Sequence, residues 1–139
     1  MRTLIILIFL LFSYSLKAQI TSALSFNENT KTIFLKLENQ TDSIIFLAPK
    51  LGESNTNGTY FMIKYKDKNE RTIDSLSTYV FDLLKYSILL PKKNRDYKLK
   101  LYPKANLKIN SVDIEVHIEA RNAIKTLFID DICKTYKWK

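Results

Sequence analysis

One histidine and one cysteine stand in the whole chain, His117 and Cys133, and they bound the chemistry it can carry. Spacing alone allows them a nucleophile–base partnership, but no local signature supports it. The chain has no Gly-x-Ser-x-Gly elbow and no phosphate-cradling glycine loop. One His and one Cys also fall short of the ligand count of the usual zinc sites. The acids offer two further arrangements. Glu115 and Glu119 fall on one face of a strand, as a glycosidase pair could. Asp130-Asp131 could touch Ca²⁺, yet two adjacent carboxylates lack the spaced pattern of a calcium loop. Acids alternating with apolar residues are the ordinary wet face of a strand. The expectation is a non-enzyme with no catalytic, metal or cofactor-binding residues.

The elements that would position these residues read as strands. Residues 112–119 alternate without a break: Val112, Ile114, Val116 and Ile118 share one face, while Asp113, Glu115, His117 and Glu119 share the other. His117 is therefore expected to be solvated or salt-linked among acids. Residues 97–102 alternate in the same way, with Lys98 and Lys100 on the wet face. If these two strands are neighbours, lysines meet acids across the ladder, each pair contributing roughly 0.2–1 kcal/mol. Ile33, Leu35 and Leu37 mark another strand, and the polar turn 39–42 could join it to the apolar run 43–47, which Pro49 ends or confines to an edge. Residues 60–65 are a strand with Phe61, Ile63 and Tyr65 on one side, followed by a charged turn over 66–71. Residues 76–84 suit a short helix or a broken strand, and 86–90 read as a strand. Residues 125–139 form a last strand or strand pair with Asp130-Asp131 as a bend and Trp138 packed near the end. The sequons at Asn39 and Asn57 are read as ordinary turn residues.

The N-terminus has a different character. Arg2 precedes nine consecutive apolar residues, 4–12, and Leu16-Lys17-Ala18 follows. Charged, apolar and small-residue parts in that order make a secretory signal. Ser13, Tyr14, Ser15 and Lys17 stop the run short of the about 20 apolar residues a membrane-spanning helix needs. Residues 1–18 are expected to be removed, leaving 19–139 as one exported domain, periplasmic or extracellular, with no stable membrane insertion. No cysteine follows the cut to carry a lipid. The formal charge of +8 falls to +6 once Arg2 and Lys17 leave, which favours anionic partners over neutral ones. Export makes nucleic acid the least expected of these. With a single cysteine there is no internal disulfide, so the core must hold the fold alone. Cys133 is expected to be a buried, inert thiol, with pairing between chains as the alternative.

Seven to nine short strands in one domain argue for an antiparallel β-sandwich, with a small closed barrel as the alternative. Ser87-Ile88-Leu89-Leu90-Pro91, a polar loop and Tyr97-Lys98-Leu99-Lys100-Leu101 resemble the strand–Leu–x–Pro–loop–Tyr–x–apolar segment of fibronectin type III and related immunoglobulin-like domains. The resemblance implies an immunoglobulin-like β-sandwich and gives Tyr97 the structural role of a tyrosine corner, its hydroxyl tied to upstream backbone. The loop 92–96 is longer than the family's and lacks its glycine. TIFLKLENQTDSIIFL, residues 32–47, resembles the opening strands of small secreted immunoglobulin-like proteins of Bacteroidetes, and Lys17-Ala18-Gln19 resembles their signal ending. In outline the chain is also similar to the BsuPI-type proteinase inhibitors.

The expected function is that of a non-enzymatic binding or accessory domain of the cell envelope, recognising a protein, a glycan or an anionic polymer through its loops or a sheet edge. Residues 50–58, with Gly52, Glu53, Asn55 and Asn57, are the first candidate surface. The basic loop with Lys92, Lys93 and Arg95 is the second. A proteinase-inhibiting or toxin-neutralising role on the same fold is the alternative.

Overall fold

Alternation in the sequence becomes alternation in burial. The computed structural model describes residues 20–48, 58–79, 87–122 and 126–139. In it, β2 (Thr32–Asn39) buries Ile33, Leu35 and Leu37 completely, while Lys36 between them is exposed. β4 (Tyr60–Lys66) does the same with Phe61, Ile63 and Tyr65. β8 (Ser111–Arg121) buries Val112, Ile114, Val116, Ile118 and Ala120. Burying one such side chain contributes roughly 1.5–3 kcal/mol, so inward rows of this length fix which face of each strand points to the core.

The remaining strands are β1 (Ile20–Asn27), β3 (Ile45–Leu47), β5 (Thr72–Tyr79), β6 (Ser87–Leu89), β7 (Asn94–Lys100) and β9 (Thr126–Lys137). All pairings are antiparallel. A smaller sheet has the order β1-β2-β7, and a larger one holds the other six strands. Inner residues of both sheets, among them Leu24, Leu35, Phe61, Ile114 and Val116, form one buried cluster. Among the described residues the two sheets share no ladder, so the fold is an open β-sandwich and not a closed barrel.

β8 is the centre of the larger sheet. β9 runs along one of its edges. β4 and β3 occupy successive stretches of the other, opposite residues 111–117 and 120–121. β5 and β6 pair with β4 and β3 in turn. Each of these pairs behaves as one interrupted strand, which gives three strands facing four, the strand number of an immunoglobulin-like sandwich. Glu119 closes the seam between β3 and β4. Its carboxylate accepts the Gly58 N–H at 2.8 Å, and the Thr59 N–H reaches Ala48 O at 2.7 Å. Gly58 has φ 96°, a conformation that a Cβ would oppose.

Four sequence expectations change. β7 and β8 are not neighbours, because β7 pairs with β2 in the smaller sheet; the acid row of β8 instead meets the lysines of β4. The turn after β2 does not join paired strands but carries the chain from one sheet to the other. Asp130 and Asp131 do not bend the chain, since β9 continues through them with both opposite β8. Cys133 is exposed, because its parity along β9 is that of Asp131 and Thr135 and so places it on the outer face. The open region 76–84 is β-strand as far as Tyr79, and its remainder lies outside the described residues.

Side chains reach single main-chain carbonyls of two edge strands, β1 and β6. Lys134 Nζ and the Tyr136 hydroxyl both donate to Leu24 O, at 3.0 and 3.2 Å, which lays β9 against β1. Arg95 Nη1 donates to Ile88 O at 3.2 Å, covering part of β6. At the end of β9, Trp138 stacks on Phe26 at 6.0 Å, meets Tyr65 edge-on at 5.6 Å and receives the Lys31 ammonium at 4.4 Å. It packs as expected.

Candidate functional site

Three surfaces hold the residues with chemistry. The first is the outer face of the larger sheet, where His117 and Cys133 line a cavity of about 180 Å³ together with Tyr60, Met62, Glu115 and Asp131. His117 and Asp131 are register partners, and His117 Nδ1 lies 2.5 Å from Asp131 Oδ1. Tyr60 stacks on the imidazole at 5.3 Å. Glu115, opposite Cys133, is engaged by Lys64 at 2.5 Å. That hydrogen bond raises the Lys64 ammonium above its ordinary value. Glu119 accepts Gly58 N–H and the Arg121 guanidinium. Asp130 accepts the Ser22 hydroxyl at 3.3 Å. Glu115, Glu119 and Asp131 thus share the outer face, whereas Asp130, opposite the buried Ile118, turns toward β1 of the smaller sheet, and each of the four holds a neighbour in place. Among the described residues, no three His, Cys, Asp or Glu side chains are arranged to hold a metal ion.

Farther along that face, Asp113 accepts Lys66 at 2.6 Å and the Thr135 hydroxyl at 2.6 Å. Burial pushes its carboxyl up, but these two hydrogen bonds outweigh it and hold Asp113 below the ordinary value. The Lys66 ammonium is raised in turn by its bond to Asp113.

The second surface is the end where β6 passes to β7. Gly52, Glu53, Asn55 and Asn57 of the first candidate loop lie outside the described residues. The basic loop is described, and its cations are largely engaged. Lys92, with φ 56°, donates to Gln40 O at 2.6 Å and lies 3.5 Å from Asp42. Arg95 covers β6 and reaches over the Tyr97 ring at 5.8 Å. Lys93 is exposed, and its main chain joins β2, accepting Asn39 N–H at 2.9 Å. Tyr97 is buried in β7, the strand that follows the crossing between sheets, opposite Leu35. Beneath this end sits Asn39, fully buried. Its amide donates to Ser43 O, Leu89 O and Leu90 O, and its carbonyl accepts the Thr41 N–H and hydroxyl. Asn39 is therefore the internal tie of this end.

The third surface was not singled out in the sequence. At the opposite end, the β4–β5 hairpin and the segment before β8 border an open cavity of about 480 Å³ lined by Asp67, Lys68, Asn69, Arg71, Lys108, Ile109 and Asn110. Asp67 organises the hairpin. Its carboxylate accepts the main-chain N–H of Asn69 at 2.8 Å and of Arg71 at 3.0 Å, and the Arg71 guanidinium at 3.0 Å. The Arg71 N–H bond leads in holding its carboxyl below the ordinary value. Glu70, at φ 60°, closes the turn. The other wall is fixed by Asn110, whose N–H donates to Lys66 O at 2.8 Å and whose carbonyl accepts Trp138 N–H at 2.9 Å. The signal was present in Asp67-Lys68-Asn69, since Asp followed two residues later by a free N–H is the Asx-turn pattern. What the sequence did not place was Lys108 and Asn110 beside it.

No protein-family model matches the chain, and no curated protein matches it either.

Proposed function

We propose that this chain is an exported, non-enzymatic binding domain of the bacterial cell envelope whose partner is anionic. The observation that carries this reading is the use of its charges. On the larger sheet, acids are matched by Lys64, Lys66, Arg121 and His117, whereas the ammonium groups of Lys36, Lys68, Lys93 and Lys108 have no ion-pair partner among the described residues. Unmatched cations spread over a rigid sandwich favour encounter with a polyanion, and an extended acidic polymer can reach several at once. Export is supported by the leader-like residues 1–18. A binding role in place of catalysis is supported at His117: Tyr60 covers the ring, and β8 beside it is hydrogen-bonded on both edges, leaving its amides no free donors for a developing oxyanion.

The test is expression of the full chain with fractionation and intact mass, followed by retention on envelope material at rising salt. The expected product starts at Gln19, is recovered outside the membrane pellet, and leaves the envelope material as salt increases. An uncleaved chain in the pellet, or retention indifferent to salt, would sink the reading.

A further inference from the structure

We infer that the cavity between the β4–β5 hairpin and residues 108–110 binds an anionic oxygen group, carboxylate or phosphate, carried on a sugar-sized unit. This deepens the binding-domain reading and rests on it. Three observations converge. First, the charge balance inside the cavity is positive. The Asp67 carboxylate is taken up by two main-chain N–H groups and by Arg71, and Glu70 turns to Lys66 at 3.9 Å. Second, four of the other lining residues carry side-chain donors without partners among the described residues: the ammonium groups of Lys68 and Lys108 and the amides of Asn69 and Asn110. Two ammonium groups and two amides meeting in one concavity match an oxyanion with hydroxyls around it.

Third, the walls are preset. Asp67 N–H to Arg71 O at 3.0 Å and Glu70 N–H to Asp67 O at 3.1 Å lock the hairpin, and Asn110 N–H to Lys66 O ties one wall to the other. A site held before its ligand arrives loses little ordering entropy on binding. The volume of about 480 Å³ exceeds what a bare oxyanion fills. Ile109, half-buried against the core, supplies an apolar floor for the ring that bears the charge.

The experiment is an NMR titration of the purified protein with oligogalacturonate, with the uncharged galactose oligomer and with inorganic phosphate, reading the side-chain amides of Asn69 and Asn110 and the methyls of Ile109. Oligogalacturonate is expected to shift these signals, the neutral oligomer not to, and phosphate to bind at least several-fold more weakly. Lys68→Gln with Lys108→Gln should weaken oligogalacturonate by at least about tenfold, since loss of even one charge-assisted hydrogen bond commands that factor. The charge-matched pair Lys98→Gln with Lys100→Gln, on the outer face of the smaller sheet, should leave it nearly unchanged.

Equal weakening by both pairs would overturn a specific site in favour of general charge attraction. Phosphate binding as tightly as the oligomer would overturn the sugar-sized carrier. Shifts confined to other residues would overturn the location. Retention on envelope material that survives Lys68→Gln/Lys108→Gln would remove this site while the binding-domain reading stands. Oligogalacturonate binding without any envelope retention would do the reverse.

Discussion

The two ends of the sandwich are both basic, yet they use their cations differently. At the end where β6 passes to β7, Lys92 and Arg95 bond to main-chain carbonyls of Gln40 and Ile88, so they serve the fold. At the hairpin end, Lys68 and Lys108 engage nothing among the described residues, while the acids beside them are occupied. A run of basic residues in sequence therefore says little about a binding surface until each charge is assigned a partner. The dense run 92–95 became structure, and the scattered pair became the better candidate.

Two asparagines sharpen that contrast most strongly. Asn39 is fully buried and joins β2 to the chain on both sides of the crossing, whereas the Asn69 side chain lines an open cavity. Asn39→Ala would take the amide from the carbonyls of Ser43, Leu89 and Leu90, the Leu89 bond being buried, and is expected to cost about 3 kcal/mol. Asn69→Ala should stay within about 0.5 kcal/mol. Urea unfolding midpoints measure both. Similar losses at the two positions would break the distinction between a structural end and an open one.

Acid should act next, through Asp113. Its carboxyl is held low in the fold, so the unfolded chain takes up the proton first. The stability from its bonds to Lys66 and Thr135 is therefore fully present above the ordinary carboxylate pKa, about 4, and is lost as pH falls through the folded value. Asp67 follows the same sign at the hairpin. Asp113→Asn is expected to cost about 1–2 kcal/mol at neutral pH and to flatten the acid limb of the stability curve. Thermal melts from pH 7 to pH 3 on both proteins check this. An unchanged acid limb would mean that the pair of Lys66 and Asp113 is not what protonation breaks.

How much of this was legible depends on whether the information is local. Inward rows such as Ile33, Leu35 and Leu37, or Val112 to Ile118, repeat every second residue, and period two is a local property; the sandwich followed from it. The wet side of β8 was equally clear, including an engaged His117. Pairing was not. Lysines of β7 and acids of β8 are complementary in charge, but complementary rows recur on β4, and only the division of the strands between two sheets decides which row is adjacent. Cys133 was misplaced because KTLFIDDICKTYKWK breaks strict alternation, so its parity had to come from register with Glu115. Asn39 resembled an exposed turn residue, since nothing in Asn-Gln-Thr reveals that the chain there crosses between sheets. The cavity joins residues 67–71 to 108–110, a distance along the chain that no motif spans.

The smallest expected effect bears most directly on the comparison of the two ends. Lys92 and Arg95 are exposed and bond to carbonyls at a solvated surface, so neutralising Lys92, Lys93 and Arg95 to Gln should lower stability by less than about 1 kcal/mol in total. Retention on acidic polymer should fall only by about twofold, the long-range share of three cations screened at physiological salt. The Lys68→Gln/Lys108→Gln pair removes fewer charges, so a larger loss from it cannot come from net charge. Salt-dependent retention of the two variants side by side makes the measurement. If the triple variant loses more, the cations of the β6–β7 end release their carbonyls to meet the ligand, and the sequence's second candidate surface takes precedence over the cavity at the hairpin.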